Sequence, residues 1–117
     1  MTMWSITTKR VYEPPSPGDG QRVLVDRLWP RGVSKEAAKV DIWLRDIAPS
    51  EELRRWYGHV PERWEEFKRR YHRELDRNPE AVARLREMLE DGPVTILFGA
   101  RDERRNQAIA LKEYLER

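Results

Sequence analysis

Two apolar runs, Val23-Leu24-Val25 and Val94-Thr95-Ile96-Leu97-Phe98, constrain this chain more than any other feature. Neither shows the in-and-out alternation of a half-exposed strand. Continuous apolar runs of this length suit strands covered on both faces. The long segment between them reads mainly as helix, and parallel neighbours need crossovers of that kind. The fold expected is therefore α/β: a small single-domain layer fold with a mostly parallel central sheet and flanking helices, spanning residues 1–117.

Local signals fill in the rest. Residues 4–11 are rich in β-branched and aromatic types and read as a first strand. The prolines and glycines from Tyr12 to Gly20 argue against regular structure, so this stretch reads as a stiff connector rather than a pocket rim. The second strand ends before Trp29-Pro30, since proline cannot continue a central ladder. Ser34 is placed to cap a short helix through Lys39. Asp41 to Ala48 reads as a short strand or extended segment. Ser50 caps a helix with Glu51 and Glu52 in its first turn, and Gly58 ends it. Pro61 opens the next helix, whose stripe of Trp64, Phe67, Tyr71 and Leu75 faces inward. Asn78-Pro79 starts a third, which buries Val82, Leu85 and Leu89 and stops at Gly92-Pro93. A last helix is expected from about Glu103 to Leu115, with Ala108, Leu111 and Leu115 inward and Asp102 as its cap. There is no internal repeat or low-complexity tract.

Composition excludes several classes of function. The chain has no cysteine, so disulfides, thiolate metal sites and cysteine nucleophiles are ruled out. His59 and His72 are not at ligand spacing with each other or with a third donor, so no metal is expected. No phosphate loop, dinucleotide fingerprint or nucleophile elbow is present, and no cofactor is expected. No apolar run approaches the roughly 20 residues of a membrane helix. The N-terminus from Met1 to Ile6 lacks a leader pattern. The expectation is a soluble cytoplasmic protein with no membrane partner. Charged residues make up 38% of the chain, yet the signs nearly cancel at +2, which fits solvated helix faces better than a basic binding face. A surface rich in arginine and glutamate also suits a thermophilic source.

Parallel sheets place ligands beyond the carboxyl ends of their strands. Two such ends carry polar residues here, Asp26 to Gly32 and Gly99 to Asp102. Arg27 and Arg31 offer forked donors matched to carboxylate or phosphate. Gly32 allows close backbone approach, and Arg101, Asp102 and Asn106 follow the second strand. If the strands are neighbours, Arg27, Arg31 and Arg101 converge on an anion site. The alternative is that Arg27 pairs with Asp26 or Asp46 and merely seals the sheet end. Trp29, Trp43 and Trp56 are candidate ring-stacking walls or core fillers. Asp26, Asp46 and His59 are the candidates for acid–base work, provided that two of them converge.

The run Val25-Asp26-Arg27-Leu28-Trp29-Pro30-Arg31-Gly32 resembles the uncharacterised YeaO-like family, domain of unknown function 488. The likeness continues through Trp43 to Ser50, Leu53 to His59, Glu62 to Phe67, Phe98 to Asp102 and Leu111 to Leu115. It implies a small parallel α/β fold with no established activity. It marks Arg27, Trp29, Pro30, Arg31, Asp46, Trp56, His59, Arg101 and Asn106 as distinctive positions. Similar chains often carry histidine around the asparagine of the last helix, where this one has Arg105 and Gln107. A mechanism that uses a histidine there does not transfer to this chain.

The leading expectation is binding or processing of a small anionic ligand, bearing phosphate or carboxylate, at the strand ends. The alternatives are a nucleic-acid accessory protein, for which pI ≈ 9.1 speaks, and a non-enzymatic interaction module. Oligomeric state is not legible in the sequence.

Overall fold

A computed structural model describes residues 4–117. Residues 1–3, part of the N-terminal stretch read above as lacking a leader, lie outside the described residues. Four strands form one parallel sheet: β1 (Ile6–Arg10), β2 (Gln21–Leu24), β3 (Ile42–Trp43) and β4 (Val94–Phe98). Their order is β1-β4-β2-β3, so the two apolar runs lie side by side in the middle. Val23 pairs with Ile96, and Leu24 with Leu97.

The two faces of the sheet are covered unequally. Val23, Val25, Val94, Ile96 and Phe98 point into the main core. That core is closed by α2 (Glu51–Tyr57), α3 (Trp64–Asp76), α4 (Pro79–Asp91) and α5 (Gln107–Glu116). Leu24 and Leu97 point the other way, into a smaller cluster with Val11 and Ala38. Ala38 comes from the short α1 (Lys35–Ala38), and Trp29, Val33, Val40 and Trp43 pack around the cluster. Coverage on both faces is why the central strands lack alternation.

β1 and β2 run parallel with β4 between them, so the chain must return the length of the sheet after Arg10. Residues 11–20 make that return without a helix. Proline, with φ pre-set, suits such an extended connector. The expectation of no regular structure is corrected at one point, a 3-10 turn at Pro17–Asp19. At the end of the loop Gly20 has φ 65°, and a Cβ there would lie 2.1 Å from the Pro93 carbonyl oxygen. Only glycine fits that close crossing.

Most caps stand where expected. Ser34 and Ser50 accept from the amides of Ala37 and Leu53, and Gly58 closes α2 in the left-handed region. Other boundaries differ. The first strand is Ile6–Arg10, shorter than residues 4–11. The segment from Asp41 to Ala48 keeps only two strand residues before Leu44 turns it into a 3-10 turn at Arg45–Ile47. Pro61 opens a 3-10 turn, and α3 follows from Trp64. Asn78 precedes Pro79 at the cap position, but its amide donates to the Asp46 carbonyl at 2.8 Å and caps nothing. The last helix starts at Gln107, four residues later than expected. Its cap is Asn106, not Asp102. No helix among the described residues is long and apolar enough to cross a membrane.

Candidate functional site

β2 and β4 end together, and the chain after each carries polar groups to one place. Val25 extends the ladder by one bond to the Leu97 carbonyl, after which Asp26 turns off the sheet. One Asp26 carboxylate oxygen accepts from the Gly99 amide at 2.9 Å, and the other accepts from the Gln107 side chain. The approach is close: a Cβ at Gly99 would lie 2.7 Å from that Asp26 oxygen and would push the carboxylate aside. The Asp26 carbonyl is also fixed, by the indole N–H of Trp43 at 2.7 Å. Burial pushes the Asp26 carboxyl up to about 6, against the Gly99 and Gln107 hydrogen bonds and the charge of Arg54.

Asp26 stands in the wall of a cavity of about 170 Å³. Its polar wall is completed by Arg27, Arg54, His59, Asn106 and Gln107. Its apolar wall is Leu28, Ala48, Pro49, Tyr57, Phe67 and Ala100. The Tyr57 and Phe67 rings stack with centroids 4.6 Å apart. Burial raises the Tyr57 hydroxyl, as does the charge of Asp102. His59, at φ 57°, follows Gly58 out of α2 and lies with its ring centroid 6.0 Å from that of Tyr57.

The two arginines in the wall differ. Arg27 reaches backbone carbonyls: Nε donates to Pro49 at 3.3 Å, and Nη2 to Pro49 at 3.1 Å and Ala48 at 3.4 Å. It pairs with neither Asp26 nor Asp46, the partners that the sealing alternative named for it. Its Nη1 has no partner among the described residues. Arg54 is exposed, like Arg31 and Arg101, but it lines the cavity, and its guanidinium has no hydrogen-bond or ion-pair partner among the described residues. Arg54 and Tyr57 are three apart on α2, which puts both on the face turned to the cavity.

The other candidates are not gathered here. Arg31 is exposed and lines no part of the cavity; its carbonyl accepts from the Tyr12 hydroxyl at 3.1 Å. Gly32 forms an exposed left-handed turn at φ 73°, with open space around its Cα. Arg101 is exposed and also outside the wall. The strands are neighbours as the argument required, yet the arginine that joins Arg27 is Arg54. Asp46 is exposed on the 3-10 turn, away from Asp26's cavity. Asp102 accepts from the amides of Arg104 at 2.9 Å and Arg105 at 3.0 Å, and these bonds hold its carboxyl below the ordinary range. Asn106 is buried, and its side chain is committed: it accepts from the Ile109 amide and donates to the Asp102 carbonyl.

None of the tryptophans enters the cavity wall. Trp29 donates to the Val33 carbonyl at 2.6 Å and meets Trp43 edge-on across the smaller face of the sheet. Trp56 lies under the guanidinium groups of Arg63 and Arg70. His72 is bonded to the Ala110 carbonyl. Among the described residues no three His, Cys, Asp or Glu side chains cluster as metal ligands would.

Among the charged, polar and aromatic residues of the wall, Arg54, Tyr57, Phe67 and Gln107 were not site candidates in the sequence; Phe67 was expected only as part of the inward stripe of α3. The spacing of Arg54 and Tyr57 was a usable signal, but an exposed arginine on a charged helix is not told from its neighbours until the position of that helix over the strand ends is known.

A family model described as the "inactive DUF488-N3 subclade" matches residues 5–117. An uncharacterized protein of Mycobacterium tuberculosis is 46% identical over 110 residues, which is 94% of this chain and 92% of the relative. The uncharacterized protein YeaO of Escherichia coli is 38% identical over 112 residues, covering 95% of this chain and 96% of YeaO. No solved structure matches the chain. With a family model spanning nearly its whole length and relatives at these identities, the chain belongs to the YeaO-like DUF488 family, in the DUF488-N3 subclade described as inactive.

Proposed function

We propose that this protein binds a small anion in the cavity at the carboxyl ends of β2 and β4. The observation that carries this reading is Arg54, a guanidinium without a partner among the described residues, set in the same wall as the unused Nη1 of Arg27. Arg54 is exposed and Arg27 half-buried, and the forked donors of two guanidinium groups match a carboxylate or phosphate. Binding is favoured over turnover by two considerations. The subclade is described as inactive. Asp26 is the one carboxylate in the wall, and its oxygens are already engaged by Gly99 and Gln107, so no second carboxylate is there to share acid–base work.

The nucleic-acid alternative has less support. The basic residues of α3 are answered by glutamates: Arg69 and Arg70 by Glu66, and Lys68 by Glu65 and Glu113. Such pairing leaves a mixed surface rather than a positive face.

Titration with acetate, inorganic phosphate and larger carboxylates at low ionic strength, followed by amide NMR shifts, is the test. Saturable binding localised to the ends of β2 and β4 is expected. Arg54→Ala should weaken it about tenfold or more, the worth of one charge-assisted contact. Saturation by none of these anions, or equal affinity in the Arg54→Ala protein, would overturn the reading.

A further inference from the structure

The size, lining and charge of the cavity narrow the class of anion, on the assumption that the site binds an anion at all. We propose that the ligand is a single-ring aromatic monocarboxylate, with its carboxylate at Arg54 and its ring against the Tyr57–Phe67 wall.

Three observations carry the assignment. The first is volume. The cavity holds about 170 Å³, and an apolar protein cavity of roughly 150 Å³ is known to take up benzene. One ring fills that space, whereas most of a nucleotide would stand outside it in solvent. The second is the lining. The same cavity is lined by the stacked rings of Tyr57 and Phe67 at 4.6 Å and by Leu28, Pro49 and Ala100. A hydrated anion such as phosphate gains nothing from such a wall, whereas an aromatic ring gains both buried area and ring–ring contact. The third is charge. Arg27 and Arg54 bring two positive charges and Asp26 one negative charge, so the cavity carries a single excess positive charge near neutral pH. A monoanion balances it, and a phosphate dianion overshoots it beside a carboxylate already penalised by burial.

The lining also predicts which part of the ligand matters. Leu28 is 65% exposed and lines the cavity with apolar surface open to solvent. A bound ring would cover it. Exposed large apolar side chains are unremarkable singly, but this one belongs to the wall of the cavity and is the part of it that a ligand would bury.

Calorimetric titration of the full chain with acetate, benzoate, cyclohexanecarboxylate, inorganic phosphate and ribose 5-phosphate tests the assignment. Benzoate is expected to bind at least about tenfold tighter than acetate. Cyclohexanecarboxylate should fall between them, and both phosphates should be weaker than benzoate. Ala100→Leu, which fills the cavity from its wall, should lower the benzoate-to-acetate affinity ratio. Binding of acetate or either phosphate as tightly as benzoate overturns the aromatic assignment while leaving an anion site in place. Absence of binding by every one of the five anions overturns the anion site and this assignment together.

Discussion

Asp26 is the residue where the chemistry of the site and the stability of the fold meet. Its carboxyl is raised from 3.8 to about 6, chiefly by burial. The folded state thus holds that proton more tightly than the unfolded chain does. Below about pH 4 the group is protonated in both states and carries no penalty. From there to just above pH 6 the unfolded carboxyl ionises more readily, and the fold loses stability until both are ionised. The loss amounts to at most about 3 kcal/mol. Asp26→Asn removes the titration while keeping the contacts, since the new amide oxygen still accepts from Gly99 and the Gln107 amide can rotate to accept in turn. Urea unfolding at pH 4.5 and pH 8 checks this. The wild-type protein should lose stability relative to the variant between those values, and the same difference at both would show that Asp26 titrates at its ordinary value. Arg54 works in the opposite sense: it contributes little to folding and, under the anion reading, most of the binding.

At the scale of elements, α5 shows how a local signal misleads. Asp102 and Asn106 are both good capping residues and lie four apart, so the sequence alone offers two starts for one helix. Packing decides between them. Asn106 is 2% exposed and its side chain satisfies the Ile109 amide at 3.0 Å. Asp102 instead closes an exposed turn over Arg104 and Arg105. Asn106→Ala should cost about 1–2 kcal/mol, and Asp102→Ala less than about 1 kcal/mol, both measured from urea midpoints at unchanged slope. A larger loss at Asp102 would move the effective start of the helix back to it. The same contrast explains what could be read from the sequence. Val23–Val25, Val94–Phe98, the Ser34 and Ser50 caps and the stripe on α3 were legible because each depends on neighbours in the chain. The strand ends were chosen from the general behaviour of parallel sheets, and Asp26, Arg27 and Asn106 of the residues named there line the cavity. Arg54 in place of Arg31 and Arg101 was not legible, because it depends on how α2 lies across the ends of β2 and β4. The tryptophans misled for a related reason. An indole suits a ligand wall and a core equally well, and its N–H partner, Val33 for Trp29 and Asp26 for Trp43, is visible only in the fold.

Over the whole molecule, the two ends of the sheet divide the work. The carboxyl end holds the cavity. The amino end is closed by a buried charge cluster that ties the 11–20 return loop to β1 and β2. Asp19 accepts from the Ser16 amide at 3.0 Å and hydroxyl at 2.9 Å, from Lys9 at 3.1 Å and from Arg22 at 2.6 Å. Its carbonyl accepts from the Thr95 hydroxyl, which joins β4 to the same knot. Burial alone would raise the Asp19 carboxyl; the bonds from Ser16, Lys9 and Arg22 outweigh it and hold the group well below the usual range. Arg22 is itself 3% exposed and donates to Asp19 and to the Ala38 carbonyl, while its Nη2 is buried with no partner. A buried pair of this kind is costly to break from one side, because the surviving charge has no water to turn to. Asp19→Ala should therefore cost about 3–5 kcal/mol. Replacing both partners removes the stranded charge, so Asp19→Ala with Arg22→Met should cost less than the two single changes added together, by about 1–3 kcal/mol. Arg54→Ala at the other end should stay within about 0.5 kcal/mol of the parent. Chemical denaturation of these four variants at pH 7 measures all of it. Additive single changes at Asp19 and Arg22 would mean that the two do not act as a pair. A large loss at Arg54 would mean that its guanidinium is held by the fold rather than left for a ligand.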